Sequence, residues 1–189
     1  LVSMGIYIFK KEVLKELLFS EETLLDFGRD IIPAAIRKQK RIFAFEFKDY
    51  WRDVGTIQSL YDAHMDMLNN DHFLGLNSSK NLPIFSRSIN LQPHIVLYDG
   101  LVQQSMIADG CMIAGTVIHS SLAYQVIVKK NAYIKDSVIL SNVMIEQGAQ
   151  LEKVIVNEGV CIPKNYRSLN QSCVLITEDN LFEVGGIDE

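Results

Sequence analysis

The sequence predicts an α/β segment followed by a parallel β-helix. Up to about residue 70, short apolar runs alternate with apolar residues at helical spacing. A polar stretch with few periodic apolar positions follows. Beyond it, aliphatic residues recur every five or six positions. Because the apolar period changes between the two halves, we expect two different architectures in one chain.

The first half begins with a predicted strand that leads into a helix. The run Gly5–Phe9 is apolar and rich in β-forming residues. Four aliphatic residues then share one face of the first helix: Val13, Leu14, Leu17 and Leu18. Further along the chain, we expect Asp30 to cap a second helix, with Pro33 in its first turn, where the backbone amides have no partner.

A second strand and a third helix complete the α/β half. Three phenylalanines alternate onto one face of residues 41–47, as expected of a strand packed on helices. Thr56 then opens a helix with apolar residues on one side. Because two or three strands make a thin domain, we expect the rest of the sheet to lie upstream of Leu1.

The second half repeats with a period of 17 residues. Three series with one period indicate a three-sided coil, in which each inward side chain stacks on its equivalent one coil away. The alternative, an antiparallel sandwich, should show hairpin turns at irregular register, but Asp-Gly pairs occur only at 99–100 and 109–110. The series are Val117, Ile134 and Leu151; Leu122, Ile139 and Val156; and Val128, Ile145 and Ile162.

Composition and charge exclude several classes of partner. The 189 residues are 48% hydrophobic and 22% charged, as in globular proteins. The net charge of −5 argues against nucleic acid, whose binding depends on cationic side chains. No apolar run reaches the ~20 residues of a membrane-spanning helix, so we expect no membrane partner. The three cysteines form no Cys-x-x-Cys pair, which indicates a reducing cytoplasm.

Three ordered motifs carry a family resemblance: Ser3–Tyr7 (SMGIY), Asp26–Pro33 (DFGRDIIP) and Tyr50–Thr56 (YWRDVGT). Together with the hexapeptide repeats, they resemble the C-terminal portion of bacterial glucose-1-phosphate adenylyltransferase, also called ADP-glucose pyrophosphorylase. The resemblance implies a partial Rossmann-like nucleotidyltransferase domain followed by a left-handed parallel β-helix. With the change of period, we expect the first domain to end at residue 70, a linker at 71–93, and the β-helix domain and tail at 94–189.

The reaction implied by the resemblance joins ATP and glucose 1-phosphate into ADP-glucose and pyrophosphate, for glycogen synthesis. Positioning and charge neutralisation carry such a transfer, and Mg²⁺ is the expected neutralising ion. The match assigns Asp53 as catalytic residue and metal ligand, and Ser3, Gly5 and Arg29 as glucose 1-phosphate positions. It also implies a homo- or hetero-tetramer.

No Gly-rich nucleotide loop is found, and the first residue is not methionine. We therefore expect a fragment or a processed product that is inactive alone. Two other functions stay open. One is a non-catalytic regulatory or oligomerisation subunit of the same enzyme. The other is a coenzyme A-dependent acyltransferase, a class that shares the hexapeptide β-helix and uses a histidine base; His119 is the candidate, although no acyltransferase constellation accompanies it.

Overall fold

The computed structural model describes residues 2–20, 24–48, 50–69 and 89–187. The chain divides into two compact units, Leu1–Trp51 and Arg52–Glu189. Each unit has its own cluster of buried apolar residues. Among the described residues, no helix combines the length and the apolar character needed to cross a bilayer.

The N-terminal unit consists of short helices around a small core. Helix α1 spans Lys11–Leu18, and a π-helical turn at Phe27–Ile31 runs directly into α2 at Ile32–Arg37. Pro33 lies in the first turn of α2, as predicted. The predicted helix α1 is also confirmed, and it contributes Leu17 to the core, but Leu18 of the predicted apolar face is 45% exposed. The buried residues of this core are Leu17, Ile31, Ala34 and Ala35.

Both strands predicted in this unit are wrong. Neither Gly5–Phe9 nor residues 41–47 form a strand. The alternating apolar side chains lie in solvent instead: Ile8 is 99% exposed, and Phe43 and Phe45 are 85% and 89% exposed. A strand exists through hydrogen bonds to a neighbouring strand, and the described part of this unit supplies no such neighbour.

The second unit opens with helix α3, Ile57–Leu68. Thr56 caps it, as predicted, through a reciprocal pair of hydrogen bonds. The amide of Ser59 donates to Thr56 Oγ1 at 3.1 Å, and the amide of Thr56 donates to Ser59 Oγ at 3.1 Å. This capping box satisfies two backbone donors at the helix start.

After residue 89 the chain winds into a parallel β-solenoid of hexapeptide coils. The strands are β1 Ile95–Val96, β2 Leu101–Gln103, β3 Met106–Ile107, β4 Met112–Ile113, β5 Thr116–Ile118, β6 Ser121–Leu122, β7 Ile127–Val128, β8 Tyr133–Lys135, β9 Val138–Ile139, β10 Met144–Ile145, β11 Gln150–Val156, β12 Cys161–Ile162, β13 Tyr166–Ile176 and β14 Gly186–Ile187. One face of the solenoid consists of β1-β4-β7-β10-β12, and the strands β2-β5-β8-β11-β9-β6-β3 form the other two faces. Those other two faces form one sheet because β11 continues through the corner at Lys153, where the register shifts.

The pairing register confirms the 17-residue period. Ile134 pairs with both Val117 and Leu151, and Ile145 pairs with both Val128 and Ile162. The third series pairs in the same way. All nine residues are at most 2% exposed. The core is therefore a stack of aliphatic rungs along the solenoid axis, and the sandwich alternative is excluded; the left-handed twist stays a prediction.

One corner of the solenoid is closed by a ladder of buried serines. Ser120 Oγ donates to the carbonyl of Ile118 at 2.7 Å and accepts the amide of Ser137 at 3.0 Å. Ser137 Oγ repeats the pattern, since it donates to the carbonyl of Lys135 at 2.7 Å and accepts the amide of Val154 at 3.3 Å. The hydroxyls thus satisfy buried amides where the chain turns.

The tail after β12 departs from the repeat because it covers the last coil. The short helix α4, Leu181–Val184, leads into β14, which pairs antiparallel with the start of β13. Tyr166 is fully buried there, and its hydroxyl donates to the carbonyl of Leu181 at 2.7 Å. Most of the predicted 71–93 linker lies outside the described residues, so the domain boundaries stay predictions.

Candidate active site

Ser3 and Gly5 form one tight turn on the N-terminal unit. Ser3 Oγ accepts the amide of Gly5 at 3.2 Å and lies 2.8 Å from the hydroxyl of Tyr7. Gly5 has a φ of +73°, a conformation that favours glycine. A Cβ at this position would meet nothing within 4 Å among the described residues. The turn therefore presents an exposed backbone segment beside a hydroxyl pair.

Tyr7 connects this turn to the segment that carries Arg29. Its ring stacks on Phe27 with centroids 5.7 Å apart and an interplanar angle of 17°. A Cβ on Gly28 would lie 3.7 Å from the Tyr7 hydroxyl. The structure thus brings Ser3 close to the turn at 27–29. Tyr7 is the residue that the site prediction missed, although it stands inside the first motif.

The acidic residues of the second motif serve the backbone. Asp26 Oδ1 accepts the amide of Arg29 at 2.6 Å, so Asp26 caps the π-helical turn. Asp30 Oδ2 accepts the amides of Leu25 and Asp26, each at 2.9 Å. These backbone donors hold the pKa of the Asp30 carboxyl below its ordinary value. The prediction that Asp30 caps α2 is wrong, because Asp30 lies inside the preceding turn and bonds backwards.

Asp53 lies in the second unit, in the loop that precedes α3. Its side chain is exposed, and Oδ1 accepts the amide of Gly55 at 3.1 Å. A Cβ on Gly55 would approach Asp53 Oδ1 to 3.3 Å. Glycine therefore leaves room for this carboxylate to fold over the loop. The result is an accessible carboxylate at a helix start, adjacent to a capping box.

Helix α3 is fixed to the solenoid by two polar contacts. The hydroxyl of Tyr61 donates to the carbonyl of Asp136 at 2.8 Å, and Nδ1 of His64 lies 3.0 Å from Ser121 Oγ. Partial burial, followed by the charge of Asp136, raises the pKa of Tyr61 to about 12. Burial also lowers the pKa of His64, because desolvation disfavours the imidazolium. Both shifts keep these side chains neutral at neutral pH.

The four predicted site residues are divided between the two units. Ser3, Gly5 and Arg29 belong to the first unit, and Asp53 belongs to the second. Within the described ranges, no three His, Cys, Asp or Glu side chains come together as a metal ion would require. Asp53 alone offers one carboxylate, so these residues do not form a metal site by themselves. The four assigned roles stay predictions.

His119 contacts a carboxylate of the next coil. Its Nδ1 lies 2.6 Å from Oδ1 of Asp136, one coil further along. Its φ of +45° places it at a corner of the solenoid. The carboxylate therefore fixes the orientation of the ring, and the contact links neighbouring coils.

Comparison with known proteins identifies the two parts of the chain. A family model for nucleotidyl transferases matches residues 1–70, and a model described as GlmU-like, C-terminal hexapeptide matches residues 96–168. The chain is thus a nucleotidyltransferase portion joined to a hexapeptide β-solenoid.

Curated relatives indicate which kind of nucleotidyl transferase the chain is similar to. The chain is 43% identical over 169 residues to a glucose-1-phosphate adenylyltransferase of Desulforamulus reducens, a match that covers 87% of this chain and 42% of the relative. Enzymes of the same name from Bacillus cereus and Acetivibrio thermocellus are 37% and 38% identical, with 86% and 88% of this chain and 44% and 40% of each relative covered. The homologues of this chain are therefore glucose-1-phosphate adenylyltransferases, as the motifs predicted. The chain spans about two fifths of their length.

Proposed function

We propose that this chain supplies part of the active site of a glucose-1-phosphate adenylyltransferase. The observation that carries the proposal is the cluster in which Ser3, Gly5 and Tyr7 meet the turn before Arg29. Residues from two separate motifs meet there on an exposed surface, as a binding site requires. The enzyme would make ADP-glucose and pyrophosphate from ATP and glucose 1-phosphate, for glycogen synthesis in the cytoplasm.

In this proposal the N-terminal unit binds the sugar phosphate. The Ser3 hydroxyl can donate to or accept from a sugar hydroxyl, and Gly5 leaves room for a ligand close to the backbone. The exposed side chain of Arg29 would pair with the phosphate through its planar guanidinium. These contacts would orient the phosphate oxygen that attacks the α-phosphorus of ATP.

The divalent ion of the proposed reaction is Mg²⁺, and Asp53 would supply one carboxylate ligand. Among the described residues, no group of three or more His, Cys, Asp or Glu side chains is placed to hold the ion. Substrate phosphates, water and a group outside these residues would complete its coordination, which is the usual composition of such sites. When bound, the ion would neutralise phosphate charge.

The activity is tested with the native polypeptide that contains these 189 residues. Purified protein is incubated with ATP, glucose 1-phosphate and Mg²⁺, and ADP-glucose and pyrophosphate are both measured. Parallel reactions replace ATP with UTP, replace glucose 1-phosphate with mannose 1-phosphate, or add a chelator. We expect ADP-glucose in equal amount to pyrophosphate in the complete reaction, and little in the others. Absence of any sugar nucleotide, under conditions where the Desulforamulus reducens relative forms ADP-glucose, refutes the proposal.

We also propose that the enzyme assembles as a homo- or hetero-tetramer. Support comes from the outer side of the β1-β4-β7-β10-β12 face, where the outward residues in register are all apolar or sulfur-containing. Sedimentation of the native polypeptide tests this, and a monomer at all concentrations would refute it. The residues of this column are Ile95, Met112, Ile127, Met144 and Cys161.

A further inference from the structure

The guanidinium next to Asp53 binds two carboxylates of the following helix. Nη1 of Arg52 lies 3.2 Å from Oδ2 of Asp62, and Nη2 lies 2.6 Å from Oδ2 of Asp66. The two aspartates are four residues apart on α3 and therefore share one helix face. The other oxygen of Asp62 accepts from Nε2 of Gln58 at 2.7 Å. Two nitrogens of the guanidinium are thus bound to α3 itself.

Helix α3 is a fixed support for this contact. It packs against β6 and β13 of the solenoid. The hydrogen bond from Tyr61 to the carbonyl of Asp136 and the contact between His64 and Ser121 set its rotation and its position along the solenoid. A group bound to α3 is therefore held in a fixed position relative to the solenoid.

The loop that carries Asp53 is tied to this support at both ends. Arg52 binds the middle and the last turn of α3, and Thr56 caps the first turn. Between these two anchors, the Asp53 side chain is held by the amide of Gly55. A loop of so few residues between two anchors has little backbone freedom, because each fixed residue removes conformations from its neighbours.

We propose that Arg52 is a positioning residue that holds Asp53 in its working orientation; this inference rests on the proposed function. A purely stabilising role fits the geometry less well. The side chains of Arg52, Asp62 and Asp66 are 33%, 37% and 22% exposed, and partly exposed ion pairs contribute little to stability. What the arrangement does supply is position, since the two contacts tether residue 52 to α3 and so reduce the conformations open to the loop.

The first arm of the test uses the 189-residue chain and amide hydrogen exchange. Arg52→Ala should raise the exchange rate of the Gly55 amide, while Arg52→Lys, which keeps the charge but loses the fork, should raise it less. Lys130→Ala serves as the control, because it breaks an exposed ion pair with Asp99 elsewhere in the unit. The control should leave the Gly55 rate unchanged.

The second arm measures kinetics in the native polypeptide. Misplacing a reacting group by about 1 Å costs up to ~100-fold in rate, so Arg52→Ala should lower kcat by ~10-fold to ~100-fold. The KM values for both substrates should stay within a factor of ~3 of wild type, because substrate binding is assigned to other residues. Arg52→Lys should recover part of the kcat, and the melting temperature should change little.

The two arms separate failure of the inference from failure of the proposed function. If wild-type polypeptide forms no ADP-glucose, the proposed function fails, and the inference fails with it as a statement about catalysis; the exchange arm still shows whether Arg52 orders the loop. If wild type is active but Arg52→Ala keeps both its kcat and its Gly55 protection, the positioning role is refuted. A loss of melting temperature with kcat unchanged would refute it as well.

Discussion

Replacing Ser120 by alanine removes one rung of the buried serine ladder. Ser120 and Ser137 are both fully buried. The carbonyl of Ile118 loses the Ser120 hydroxyl but keeps a second donor, the amide of Asp136 at 3.1 Å. The amide of Ser137 loses its acceptor and has no access to water. A buried donor left unsatisfied costs about 1–3 kcal/mol, and we expect Ser120→Ala to lower the free energy of unfolding by that amount.

Urea unfolding followed by circular dichroism measures this loss. With a slope of about 2 kcal/mol per molar urea, the midpoint should fall by roughly 0.5–1.5 M. Ser172→Ala is the matched control, because it makes the same chemical change at an exposed position of β13. In amide hydrogen exchange, the backbone amide of Ser137 should exchange faster in Ser120→Ala than in wild type, and at the wild-type rate in Ser172→Ala. If the two variants have the same midpoint, the ladder does not stabilise the solenoid and the reasoning fails.

The remaining predictions concern the cap and the α3 contact. A Cβ on Gly185 would lie 2.5 Å from the Tyr166 hydroxyl and from a backbone carbonyl, so Gly185→Ala should destabilise the chain by about 1–3 kcal/mol; Gly186→Ala, where a Cβ meets nothing within 4 Å, should leave the melting temperature unchanged. The raised pKa of Tyr61 favours its neutral form in the folded state, so its contribution is complete below pH 10 and is lost as the pH rises toward about 12. Unfolding midpoints across this range should fall more steeply for wild type than for Tyr61→Phe, and equal slopes would contradict this. The lowered pKa of His64 gives the opposite sign, because stability present above about pH 6.5 is lost on acidification. His64→Gln should therefore lose less stability than wild type as the pH falls. An equal loss in both proteins would contradict this role of His64.

The solenoid could be predicted from the sequence because its signal is local and repeated. Each inward residue, such as Ile134, pairs with residues one period before and after it. The period alone therefore fixes the neighbours. The strands expected at Gly5–Phe9 and 41–47 failed for the opposite reason. Alternation predicts which side chains share an apolar face, but a strand also needs a neighbouring strand to which its backbone can hydrogen-bond. The described residues around these segments supply no such neighbour.

The candidate site was predictable only in part. The motifs pointed to Ser3, Gly5, Arg29 and Asp53, and the structure brings the first two close to the turn that carries the third. The connection through Tyr7 could not be read from the sequence, because a ring stack joins residues that are 20 positions apart in the chain. A capping role was open for both Asp26 and Asp30, and the structure gives it to Asp26, because the π-helical turn begins before the residue that the proline pattern marks.

The central claim, that Asp53 takes part in nucleotidyl transfer, is tested most directly by kcat measurements on Asp53→Asn in the native polypeptide across a range of Mg²⁺ concentrations. Loss of the carboxylate charge should lower kcat on the order of 10²-fold or more, since groups that stabilise transition-state charge contribute at this scale. It should also raise the Mg²⁺ concentration needed for half of the remaining activity. Glu158→Gln, an equal change at an exposed solenoid position, should match wild type. An Asp53→Asn variant with wild-type kcat and wild-type Mg²⁺ dependence would contradict the claim.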